Sequence, residues 1–158
     1  MKSPLDDAHT WFFEHSVHRY PDTLEVHLVE GLKGRIATLL EVADGKSLGP
    51  FFPVGVQGDS RCASIIFRDV LAYQLVSESL GSSQTEVKSD GGVLRKCTEI
   101  EYLNYLHKDS LIEQLYDGTY TAYFLWTEDQ VVYVVCQDEP VVTVGARDPD
   151  LSIQRHST

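Results

Sequence analysis

Residues 23–30 set Leu24, Val26 and Leu28 against Glu25 and His27, and this two-residue alternation constrains the fold more than any other feature of the chain. Side chains repeat with period two only on an extended backbone, so the segment predicts a strand with one apolar and one wet face. The same period, or an aromatic and β-branched run, returns at residues 10–20, 35–42, 62–67, 70–76, 119–126 and 131–136. Val131 to Val135 is apolar on both faces, which predicts a central strand covered twice. Residues 141–144 add a short strand, and Arg68-Asp69 marks a turn or bulge between two strands.

Turn chemistry divides these runs. Pro21-Asp22 predicts a hairpin that pairs Tyr20 with Thr23, Val17 with Val26 and His18 with Glu25. On that reading Trp11, Phe13, His15 and Val17 share one face, and Phe12, Glu14, Ser16 and His18 the other. Asp44-Gly45, Gly49-Pro50, Pro53, Gly55 and Gly58 make residues 43–60 a breaker-rich loop with a short strand near Val54-Gly55-Val56. Residues 81–92 read as a polar connection, and the chain turns polar again from about 146.

Helical spacing enters only after Cys97. Thr98-Glu99-Ile100-Glu101 has the form of a capping box, followed by Ile100, Leu103 and Leu106 at helical intervals. Ser110-Leu111-Ile112-Glu113 repeats the form, so either a second short helix begins there or one helix kinks. With strands dominant and no strand–helix alternation, the expected class is α+β, mainly β. The architecture is an antiparallel sandwich or curved sheet, with one helical region in the last third covering an edge or a face. The 158 residues fit a single domain, 1–158, long enough to bury its own core.

Charge narrows the partners. A net charge of −11 repels phosphate backbones and anionic lipid surfaces, so neither nucleic acid nor membrane is expected; a basic protein is attracted. Cys62, Cys97 and Cys136 have no metal-ligand spacing, and their odd number predicts free thiols in a reducing compartment. The start lacks an apolar signal core, and no run approaches a membrane span of about 20 residues. The expected location is cytoplasmic.

Motifs for chemistry are sparse. His15 and His18 form H-x-x-H, but residues three apart on a strand face opposite ways, which argues against a shared metal. Gly58-Asp59-Ser60 lacks the flanking pattern of a nucleophile elbow and reads as a turn. Neither GxxxxGK[ST] nor GxGxxG occurs, and no cofactor is expected. Tyr133 and Cys136 read as core.

Candidate contact residues are of two kinds. Glu99, Glu101, Asp109, Glu113 and Asp117 stand against the single base Lys108, and the last hairpin adds Glu128 and Asp129, followed by Asp138 and Glu139. Were these groups neighbours in space, they would form a negative face for a basic partner; the plainer alternative has Glu101 and Glu113 capping helices and the others at solvated tips. Phe51 and Phe52, held between Pro50 and Pro53, are either interface anchors or a seal over the core, and Trp11 and Trp126 pose the same choice.

The stretch Ile66-Phe67-Arg68-Asp69-Val70-Leu71-Ala72-Tyr73, then Glu78, the Tyr102-Leu103 helix and the 131–136 strand resemble small uncharacterised bacterial β-rich proteins. Some of these are suspected immunity partners of toxins, and the resemblance implies no catalytic residues. Three functions follow as expectations. The first is a non-catalytic interaction domain with an acidic surface, of which an immunity-type neutraliser of a basic nuclease is one form. The second is a small-ligand or carbohydrate-binding sandwich with Phe51, Phe52 or Trp126 as its platform. The third is a small enzyme with a histidine–carboxylate site at His15, His18 and Glu25.

Overall fold

The computed structural model describes residues 3–80 and 88–148. The first sheet runs β1 (Thr10–Arg19), β2 (Thr23–Lys33), β6 (Arg61–Phe67), β12 (Val141–Ala146), with β5 (Val54–Gly55) pairing the far end of β2. The second runs β7 (Val70–Ser77), β11 (Gln130–Cys136), β10 (Thr121–Trp126), β9 (Leu94–Glu99), β8 (Lys88–Ser89). Both are antiparallel throughout. Helices α1 (Glu101–Asp109) and α2 (Ile112–Tyr116) follow β9, and β3 (Thr38–Val42) with β4 (Lys46–Phe51) forms a separate two-stranded ribbon. The α+β, mainly β class with one helical region in the last third is what the molecule has. Part of the polar 81–92 connection, residues 81–87, and the tail beyond 148 lie outside the described residues.

Two apolar layers result. The first lies between the sheets, where Trp11, Leu24, Val26, Leu28, Ile65 and Phe67 meet Leu125, Val132, Val134 and Cys136. The second lies between the helices and the second sheet, where Ile100, Leu106 and Ile112 cover Phe124, Val131, Tyr133 and Val135. Strand β11 therefore has one row of side chains in each layer, which is why its sequence is apolar from Val131 to Cys136. The helices supply the second cover.

Several expectations need correcting. The β1–β2 hairpin pairs Arg19 with Thr23, so its loop holds Tyr20, Pro21 and Asp22, and Val17 faces Glu25 while His18 faces Leu24. Proline does not suit the two-residue turns that match strand twist, and a three-residue loop shifts the register by one. A bulge between Phe13 and His15 then moves His15 and Val17 to the outer face while Trp11 and Phe13 stay inside. In the expected breaker-rich loop, residues 46–51 form β4, paired with a β3 that begins at Thr38 rather than Arg35. Thr98 belongs to β9 and is not the N-cap of α1: that position is Ile100, which makes no side-chain cap hydrogen bond. Ser110 does serve α2, since its hydroxyl accepts from the Ile112 amide at 3.2 Å.

Candidate functional site

Helix α1 is fixed to the sheet by its inner face. Leu106 is buried, Tyr102 lies 5.6 Å ring to ring from Tyr133, and the His107 ring nitrogen sits 3.0 Å from the Tyr120 hydroxyl. Helix α2 is bound in turn by buried Ile112 and by Glu113, whose carboxylate lies 3.5 Å from the other nitrogen of His107. Side chains four apart share a helix face, so Glu101, Tyr105 and Asp109 form one stripe, and all three are exposed. Across the Ser110 turn, Leu111, Glu113, Leu115 and Asp117 are exposed as well.

This surface alternates carboxylates with large apolar groups. Tyr105, Leu111 and Leu115 are each more than half exposed. Neither Glu101 nor Glu113 is used as a helix cap, so their charges are not consumed there. The field reaches inward: burial pushes the Tyr133 and Tyr120 phenols above their ordinary range, with Glu101 adding to the first and Glu113 to the second.

Glu128 and Asp129 lie elsewhere. Cys97 pairs with Ala122, so Glu99 lies past the Thr121 end of β10, whereas Glu128 and Asp129 follow Trp126 at the other end. Six residues of strand separate the two ends by roughly 20 Å. Both hairpin carboxylates are occupied: Glu128 accepts from the Thr10 hydroxyl, and Asp129 accepts from the Phe13 amide at 2.8 Å and the Thr127 hydroxyl at 3.0 Å. The Glu128 amide also donates to the Trp11 carbonyl at 3.0 Å. These residues tie the edge of the first sheet to the turn of the second. Their role is structural, and the sequence had no signal for it.

The other candidates separate clearly. Trp11 is buried with its indole N–H on the Leu5 carbonyl at 2.9 Å, whereas Trp126, Phe51 and Phe52 are 36%, 47% and 42% exposed. Phe51 and Phe52 therefore do not seal the core. His15 and His18 lie on opposite faces: His15 stacks on His27 with ring centroids 4.2 Å apart, and His18 packs against Tyr73 on the second sheet. The His27 Nε2 donates to the Glu25 carboxylate at 2.8 Å, on the outer face of the first sheet. No group of three His, Cys, Asp or Glu among the described residues could hold a metal ion. Ser60 is buried, and its hydroxyl accepts from the Gln57 amide at 2.9 Å, so 58–60 is a turn.

The three cysteines carry no disulfide. Burial pushes the Cys97 and Cys136 thiols up to about 11 and about 12, which removes them as nucleophiles. Where β12 faces β9, the sandwich opens into a cavity of about 380 Å³ with Tyr123, Leu94 and Val142 inside and Asp90, Lys96 and Glu139 at its lip. No helix among the described residues is long and apolar enough to cross a membrane. Comparison with protein-family models, curated proteins and solved structures finds no match for this chain.

Proposed function

We propose that this chain is a non-catalytic protein-interaction domain that holds a basic protein against the outer face of α1 and α2. The observation that carries this reading is the alternation of exposed Glu101, Asp109, Glu113 and Asp117 with exposed Tyr105, Leu111 and Leu115 on a frame locked to the sheet. Carboxylates steer a cationic partner inward and set its orientation, while desolvated aromatic and aliphatic groups supply affinity. A rigid frame lowers the ordering cost of binding. Immunity-type neutralisation of a basic nuclease in the cytoplasm is one concrete form, and the unbridged cysteines suit a reducing compartment.

The test is a pull-down from native lysate at low and high salt, with a quadruple variant (E101Q, D109N, E113Q, D117N) alongside. The expected result is a basic protein retained by the wild type at low salt, released at high salt and absent from the variant. Equal retention by both chains, or no basic protein at all, overturns the reading.

A second reading is small-ligand binding, favoured by the 380 Å³ cavity, whose size is that of a small-molecule site and whose apolar interior ends on the Tyr123 ring. Phe51, Phe52 and Trp126 remain its solvent-facing alternatives as a stacking platform. Ligand-induced quenching of Trp126 fluorescence, or of Tyr123 resonances, separates these two places.

A further inference from the structure

The β3–β4 ribbon leaves the molecule as an arm. Its root is fixed: the Gly34 amide donates to the Pro53 carbonyl at 2.7 Å, and the Gln57 side chain donates to the Leu32 and Lys33 carbonyls, both at 3.2 Å. Beyond that root every residue of β3 and β4 is exposed. Nine large apolar residues between Ile36 and Val56 are 38–82% exposed, among them Leu39, Leu40, Leu48, Phe51 and Phe52. Together they present on the order of 800 Å² of surface, spread over the root and both faces of the ribbon, which is comparable in total to the share of one partner in a standard interface.

Charge selects the occupant. Residues 35–56 carry Arg35 and Lys46 against Glu41 and Asp44, a balance of zero in a chain of −11. A strongly basic or acidic partner gains nothing here, so this is a different surface from that of the helices. A second copy of the chain, by contrast, carries the same net charge of −11 and meets on the arm a segment of zero net charge, apolar and bearing both signs. A six-residue strand reaches roughly 20 Å, more than the Debye length of about 8 Å at physiological salt. Contact through the arms thus keeps the two acidic bodies beyond most of their mutual repulsion.

We propose that the β3–β4 arm is a dimerisation element that packs on the arm of a second copy about a two-fold axis. Leu40 pairs with Leu48 and Val42 with Lys46, so Leu40, Val42 and Leu48 share one face. That face meets its equivalent, since a two-fold interface apposes one patch with itself. A free two-stranded ribbon is marginal in water, and two of them packed together cover each other's apolar side chains.

Light scattering on a sizing column tests this on the full chain across micromolar concentrations. The expected mass is twice the 17.8 kDa of one chain, falling to one chain in the L40E/L48E double variant with an unchanged circular dichroism spectrum. The helix variant (E101Q, D109N, E113Q, D117N) should remain dimeric. Hydrogen exchange on the wild type provides a second measurement that needs no substitution: arm amides should gain protection as concentration rises. A wild type that stays at one chain's mass, a double variant that keeps twice that mass, or arm protection independent of concentration overturns the proposal.

Discussion

Strands β10–β11 and β3–β4 are both antiparallel ribbons of strands five to seven residues long, and they meet opposite fates. In β10–β11 nearly every residue is buried, with one row in the layer between the sheets and the other under the helices. In β3–β4 every residue is exposed. The first is β-branched and aromatic without a charge inside, while the second holds Glu41, Gly49 and Pro50. Pro50 removes a backbone donor, and Gly49 takes a positive φ of 137°, so β4 cannot serve as the middle of a larger sheet. Apolar content made both ribbons strands. Cover decided which one became core.

The sharpest way to break this comparison is to truncate one leucine in each ribbon. Leu125 is fully buried between the sheets, so Leu125→Ala should cost about 3 kcal/mol in denaturant unfolding. Leu40→Ala in the arm should change the stability of the monomer by less than about 0.5 kcal/mol. Comparable losses at both sites would mean that the arm packs on its own body.

Next in size is the end of the first sheet. Arg61 holds Glu30 in two contacts of 2.8 Å, and the Arg61 side chain with its backbone amide depresses the Glu30 pKa below the ordinary carboxylate range. Removing the partner of a buried carboxylate should cost about 2 kcal/mol in Arg61→Ala. Because the folded pKa is the lower one, this contribution is complete above the ordinary carboxylate pKa and is lost as pH falls through the folded value. Thermal melts between neutral pH and pH 3 should therefore fall more gently in the variant than in the wild type.

A smaller effect is expected where β10–β11 is tied to β1. Asp129→Ala leaves the Phe13 amide without its acceptor and should cost about 1 kcal/mol, with faster exchange at that amide. Smallest of all is chemical access to the core thiols. With Cys97 and Cys136 pushed up to about 11 and about 12, neither should alkylate at pH 8 until the chain unfolds, as mass spectrometry of labelled native protein would read.

Much of this was legible along the chain. The alternation at 23–30 became β2, and its apolar members Leu24, Val26 and Leu28 are all buried. The doubly apolar run at 131–135 became a doubly covered strand. Strand β9 was not legible, because Arg95, Lys96, Thr98 and Glu99 break any apolar alternation and Thr98 to Glu101 has the form of a capping box; pairing with β10 and β8 overrode that local signal. The bulge at Glu14 was equally silent, yet it turns His15 away from the core and next to His27. At the candidate site, the carboxylates on α1 and α2 could be named from sequence, but not that Glu128 and Asp129 are used at the far end of β10.

Sequence alone determined most of the extended segments, the position of the helical region and the acidic net charge, because side-chain period and formal charge are local properties. Tertiary structure decided the hairpin register, the cover over β10–β11 and the exposure of the arm. Those depend on which surfaces meet, and apolar burial is proportional to area removed from water by partners distant in the chain, which no local pattern specifies.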